Sequence, residues 1–230
     1  GILGGMGTQA WLDFCNKIAV LNRGKQDQQY PKFILFNKSD TPKRPENLKK
    51  YYNVLNELVK GCKLLEKNKC KFIVIPCNTA HYWYNDLQRK ISIPIISMPK
   101  EVFLYTKKNC KKNCKIGLLA TEATIKTKIY HNYLTRNFEL VTPTKNLQKK
   151  SVNRAIQLVK SGNVKKAERI IGPAVRYLIK IKCKKIILGC TEIPVAIFAY
   201  KSFKKAKKSK IFIDPNLLLA NICTKKYKKT

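Results

Sequence analysis

Largely apolar, partly β-branched runs recur along the chain at residues 1–3, 33–36, 72–75, 93–96, 117–120, 138–141, 185–188 and 211–213. Each is bounded by polar, glycine or proline positions, and runs of that length predict buried strands. Between them apolar positions recur at helical spacing over residues 9–23, 46–66, 80–90, from 99 onward, 146–181 and 215–230. Strand and helix therefore alternate, which predicts an α/β fold on parallel sheets. Within 146–181, Lys160–Ser161–Gly162–Asn163 reads as a helix stop with glycine in the cap position. Residues 200–210 are lysine-rich with little apolar pattern and predict a surface loop.

The second half echoes the first. Gly117–Leu118–Leu119–Ala120–Thr121–Glu122–Ala123–Thr124 repeats the G-x-L-x-x-x-x-T of residues 1–8. Residues 138–141 answer 33–36, the helices of 146–181 answer 46–66, and the run before Cys190 answers the run before Cys77. Taken in the same order, these echoes argue for an internal duplication of about 110 residues. The expected architecture is α/β, with two similar parallel-sheet αβα domains related by a pseudo-two-fold axis and an active site in the cleft between them. The expected boundaries are 1–97 and 98–214, with a C-terminal helix, 215–230, packing back on the first domain.

Two of the strand runs end in cysteine, as Ile75–Pro76–Cys77–Asn78–Thr79 and Leu188–Gly189–Cys190–Thr191–Glu192. Residues just after a parallel strand sit at its carboxyl end, where open α/β sheets place ligands. The thiols are 113 residues apart in matched settings. Three readings stand at this point: buried small hydrophobes, a redox pair, or an acid–base pair flanking a substrate. Cys77, Asn78 and Thr79 are expected at a helix N-terminus, whose N–H groups stabilise a thiolate or a carboxylate. His81 lies in the first turn, as a site contact or a packing partner. Gly5–Met6–Gly7–Thr8–Gln9–Ala10 formally fits a dinucleotide fingerprint, but no acid closes the second strand. The glycines read instead as a tight loop that lets N–H groups approach a small anion. From composition alone Arg44 is a solvated loop charge, and Lys160 complements a helix C-terminus.

The chain of 230 residues carries a net charge of +35. Of its basic residues 41 are lysine and seven arginine, spread along the whole length. Base and phosphate recognition favours arginine, so the preferred reading is a lysine-biased solvated surface with non-specific polyanion affinity, and the alternative is a non-catalytic polycationic nucleic-acid-binding protein. Nine cysteines with no Cys-x-x-Cys, and only two histidines, give little support to a metal site. Reduced thiols and a cytoplasmic setting are the simpler account. No apolar run approaches the roughly 20 residues that span a bilayer.

With these residues the chain resembles the aspartate/glutamate racemase superfamily, and within it the cofactor-independent aspartate racemase branch. Gly4–Gly5–Met6–Gly7 is similar to that branch's opening loop. Pro76–Cys77–Asn78–Thr79–Ala80–His81 and Gly189–Cys190–Thr191–Glu192 are similar to its two active-site motifs. Smaller matches are Gly117–Leu118–Leu119–Ala120–Thr121, Thr142–Pro143–Thr144 and Ile213–Asp214–Pro215. The resemblance implies racemisation of aspartate, with glutamate or another small acidic substrate as the alternative, without pyridoxal phosphate or metal, in a homodimer, with Cys77 and Cys190 as the two bases. It implies that Asn78, Thr79, Thr191 and Glu192 hold the α-amino and α-carboxylate groups, with Met6 and Thr121 also lining the substrate. Arg44 and Lys160 then become its cationic contacts, Arg44 for the distal carboxylate. The chain departs from the branch at Thr8, where proline is common, at Lys38–Ser39 in place of Asn–Pro, and at Ala123 in place of glycine. Its Lys201–Lys210 loop is also longer.

Overall fold

The computed structural model describes residues 1–44, 50–198 and 210–227. The chain forms two compact units, Gly1–Met98 with Asn216–Thr230, and Pro99–Pro215.

In the first unit β1 (Ile2–Leu3) pairs in parallel with β2 (Leu35–Phe36), Ile2 opposite Leu35. Residues 72–75 join the other side of β1. Val74 donates to the Gly1 carbonyl at 2.8 Å, and its own carbonyl accepts from Leu3 at 2.9 Å. Residues 94–96 follow, with Ile73 donating to Pro94 at 2.8 Å and Ile96 to Ile73 at 2.9 Å. The expected strands over 72–75 and 93–96 are thus present only as parallel bridges, Ile2 with Val74 and Ile73 with Ile95. Pro76 and Pro94 carry no N–H, so the ladder has nothing to extend with.

Alternation along this sheet sorts its side chains to two faces. Leu3, Ile73 and Ile75 pack with Leu55, Leu58, Trp83 and Leu87. These come from α2 (Tyr51–Lys67), a short turn, and α3 (Tyr84–Arg89). Ile2, Val74 and Ile96 pack with Phe14, Ile18, Leu219 and Ala220, from α1 (Thr8–Leu21) and the terminal helix Pro215–Tyr227. The start of the helix expected from residue 46 lies outside the described residues, as does most of the loop expected at 200–210.

The second unit carries β3 (Lys115–Ala120), β4 (Glu139–Val141), β5 (Lys185–Gly189) and β6 (Phe212–Ile213), in the order β4-β3-β5-β6. All pairs are parallel, with Ala120 opposite Gly189. The same order of four extended segments, second–first–third–fourth, therefore recurs in both units. Its helices among the described residues are α4 (Met98–Asn109), α5 (Glu122–Lys126), α6 (His131–Leu134), α7 (Lys145–Leu147), α8 (Arg154–Lys160), α9 (Val164–Lys180) and α10 (Glu192–Phe198). A π-helical turn, Gln148–Asn153, joins α7 to α8. α8 stops at the expected place, where Gly162 takes a positive φ of 79° that side-chain-bearing residues disfavour. Leu119, Ile186 and Leu188 bury against Val152, Val159, Ile171, Val175 and Leu178. No helix among the described residues is long and apolar enough to cross a membrane.

Candidate active site

Each unit gathers polar and thiol side chains at the carboxyl ends of its parallel strands. In the first unit β1 runs into Gly4–Gly7, and Gly5 has a φ of +86°. A Cβ there would lie 2.1 Å from the backbone carbon and oxygen of Lys38, so only glycine lets the two loops touch. That contact sets residues 38–44 beside the opening loop. The Arg44 guanidinium donates to the Met6 carbonyl at 2.9 Å and, more loosely, to Pro42 at 3.3 Å and Thr41 at 3.4 Å. Met6 and Cys77 belong to one buried cluster.

Cys77 follows Pro76 in a tight turn, its N–H reaching the Ile75 carbonyl at 2.7 Å. Asn78 and Thr79 are buried behind it. The helix expected from residue 80 is instead a 3₁₀ turn, Thr79–Trp83, followed by α3. The residues that follow Cys77 thus form one short turn and not an α-helix with its fuller dipole.

His81 has a definite place. Its Nε2 lies 3.1 Å from the Met98 N–H and must accept, so the ring proton is on Nδ1, which donates to the Cys77 carbonyl at 2.9 Å. Burial, the largest influence, lowers the His81 pKa and keeps the ring neutral. The imidazole is therefore a clamp on the backbone of Cys77. The signal was the spacing of four residues, at which a side chain in a helical turn reaches back over the preceding residues.

The second unit's cluster is built on β5. Its Cys190 S–H donates to Glu192 Oε2 at 3.0 Å, and the Thr191 hydroxyl donates to the same oxygen at 3.2 Å. The Lys160 ammonium, at the end of α8, stands 3.8 Å from Glu192 Oε1. Sequence reasoning placed Lys160 apart from the Cys190–Thr191–Glu192 motif; the structure joins them. Burial raises the Cys190 pKa well above the ordinary thiol value, the Glu192 charge and hydrogen bond raise it further, and Lys160 opposes them. Cys190 is accordingly a protonated thiol at rest. Once that proton leaves, the resulting thiolate sits against a carboxylate and is strongly basic.

Thr121 caps α5 by accepting the Thr124 N–H at 3.1 Å. It follows Ala120, which lies opposite Gly189, so Thr121 and Cys190 stand at the same level of adjacent strands. Tyr130 was not foreseen: its ring lies 3.2 Å from where a Gly189 Cβ would be. Burial first, then Asp214 and Cys190, hold its phenol well above the usual range. Among the described residues no group of three or more His, Cys, Asp or Glu side chains is arranged to hold a metal ion.

The Asp/Glu/Hydantoin racemase family model matches residues 3–223. An aspartate racemase of Picrophilus torridus superposes with a TM-score of 0.85 at 28% identity, covering 99% of this chain and 93% of that one. A broad specificity amino-acid racemase of Bacillus subtilis (strain 168) is 28% identical over 197 residues, 84% of this chain and 85% of its own length. A glutamate racemase of Lysinibacillus sphaericus (strain C3-41) is 28% identical over 177 residues, 73% of this chain and 63% of its own length.

Proposed function

This chain belongs to the Asp/Glu/hydantoin racemase family, and from that premise we propose that it racemises aspartate by a two-thiol mechanism without a cofactor. In the L or D direction one cysteine, as thiolate, takes the Cα proton. The other, as thiol, delivers its own proton to the opposite face of the carbanion. The two thiols have then exchanged protonation states, so the next turnover runs from the other enantiomer or after proton exchange with water. The observation that carries this reading is the Cys190 S–H held on Glu192 at 3.0 Å. It is a proton donor that becomes a strong base once the proton is gone, as a symmetric two-base reaction requires.

Most of the barrier to removing a Cα proton is met by positive charge and N–H donors placed around the developing carbanion. Arg44 and Lys160 supply that charge, Arg44 to the distal carboxylate. Asn78, Thr79, Thr121 and Thr191 supply hydrogen bonds to the α-amino and α-carboxylate groups, and Met6 lines the same surface. Glu192 answers the α-ammonium as well as the thiol. The similarity to an aspartate racemase over nearly the full length of both chains supports aspartate as substrate. A wider range is favoured by the broad specificity relative, which is matched over 85% of its length, and glutamate within that range by the glutamate racemase relative.

The test is Cα proton exchange in heavy water, followed by NMR on each enantiomer of aspartate and glutamate. Wild type should exchange aspartate, and both Cys77→Ala and Cys190→Ala should abolish net inversion. Inversion that survives either change would sink the two-thiol mechanism. Faster exchange of glutamate or of neutral amino acids would replace aspartate with the wider substrate class.

A further inference from the structure

Lys38 is a lysine almost withdrawn from solvent, with 8% of its surface exposed. Its ammonium lies 2.6 Å from Glu57 Oε2 on α2 and 2.8 and 3.0 Å from the two carboxylate oxygens of Asp40. A charge so placed is tolerated only when paired, and removing one partner leaves the others uncompensated. The same residue grips with its backbone. Its carbonyl accepts the Thr41 hydroxyl at 2.8 Å and the Thr41 N–H at 3.3 Å. Its carbonyl carbon and oxygen press against Gly5, where no Cβ fits. Lys38 thus ties three pieces together: the opening loop, helix α2, and the turn from 38 to 44.

Those are the pieces that hold Arg44. The described hydrogen bonds of its guanidinium go to the backbone carbonyls of Met6, Thr41 and Pro42, all within the loops that Lys38 braces. A guanidinium has five N–H donors, so donors remain for a ligand. Its position, however, is set through the backbone carbonyls it has gripped. The ammonium of Lys38 therefore bears on Arg44 through the loops that both residues grip.

We propose that Lys38 is a positioning residue for the Arg44 loop, and that its ion pairs with Glu57 and Asp40 determine which length of side-chain carboxylate the site accepts. The proposal rests on the reading of this chain as an acidic amino-acid racemase.

The experiment compares wild type with Lys38→Met and Asp40→Asn. Asp40 has 71% of its side chain exposed, so its isosteric replacement leaves packing intact if Lys38→Met does not fold. Two readouts are taken: deuterium uptake of the 38–44 backbone, and kcat and KM for aspartate and glutamate separately. Lys38→Met should speed uptake over 38–44 at least tenfold. It should raise KM for aspartate about tenfold with kcat changed less than about threefold, and move the aspartate-to-glutamate ratio of kcat/KM toward one. Asp40→Asn should shift the same quantities in the same direction by less. Unchanged uptake in both variants, or in Asp40→Asn alone if Lys38→Met is unfolded, would overturn the brace. Faster uptake with an unchanged substrate ratio would overturn the specificity role. A wild type inactive on every acidic amino acid would refute the racemase reading, and with it the specificity role, while the uptake still decides the brace.

Discussion

Replacing His81 tests whether the backbone of Cys77 is held by an imidazole or merely packed against one. The ring is 7% exposed and makes two buried hydrogen bonds to backbone groups, accepting from Met98 and donating to the Cys77 carbonyl. His81→Ala leaves that donor and that acceptor buried without a partner, at about 1–3 kcal/mol each, so about 2–6 kcal/mol of stability is lost. His81→Gln keeps one of the two contacts and should lose about half as much. Urea unfolding followed by circular dichroism measures the difference, and Cα exchange should fall in both variants because the Cys77 turn loosens.

A pH dependence follows from the same geometry. Protonation puts a second N–H on Nε2, against the Met98 N–H, and burial lowers the folded-state pKa. The unfolded chain, with an imidazole near the ordinary value of about 6.5, then binds more protons than the folded one as the medium acidifies. The stability linked to His81 is complete above about pH 6.5 and is lost as pH falls from there through the folded value. His81→Gln should lack this component between pH 6.5 and 5. A His81→Ala loss below about 1 kcal/mol, or identical pH slopes for wild type and His81→Gln, would refute the clamp.

Two further expectations concern residues at the carboxyl ends of the strands. Glu192→Gln removes the charge that opposes Cys190 ionisation, so the pH profile of iodoacetamide alkylation at Cys190, read by mass spectrometry, should move to lower pH; an unmoved profile would show that burial alone sets the thiol. Gly5→Ala forces a Cβ to 2.1 Å from the Lys38 backbone at a φ of +86°. The left-handed penalty of about 1–2 kcal/mol and overpacking of about 1–3 kcal/mol add to roughly 2–5 kcal/mol. A thermal melt within a degree or two of wild type would show that the loops separate freely.

Much of this molecule is local and so legible in the chain. The run that becomes β5 is apolar at Ile186, Ile187 and Leu188 and fully buried in the fold. Its hydrophobicity alone sufficed, because a strand covered on both faces has no polar requirement to meet. The α8 stop at Gly162 was equally local, since a positive φ is a property of one residue. The cysteine motifs and the repeated order of elements were readable for the same reason. Local pattern misled where a missing donor or a turn type mattered. Pro76 and Pro94 cut the first cysteine segment to isolated bridges, and the turn after Thr79 tightened to 3₁₀.

What only the tertiary structure decided are distances between groups far apart in sequence. The tautomer of His81 depends on Met98, 17 residues away, and the Cys190 carboxylate partner is itself met by Lys160 from another helix. Lys38 stood out in the sequence only as a departure from the family pattern, and its pairing is decided by Glu57 on a separate helix. Hydrophobic pattern specifies which face of an element is buried, because burial depends on area and period. Charge state and donor direction depend on separations of a few ångströms, and those exist only once the chain has folded.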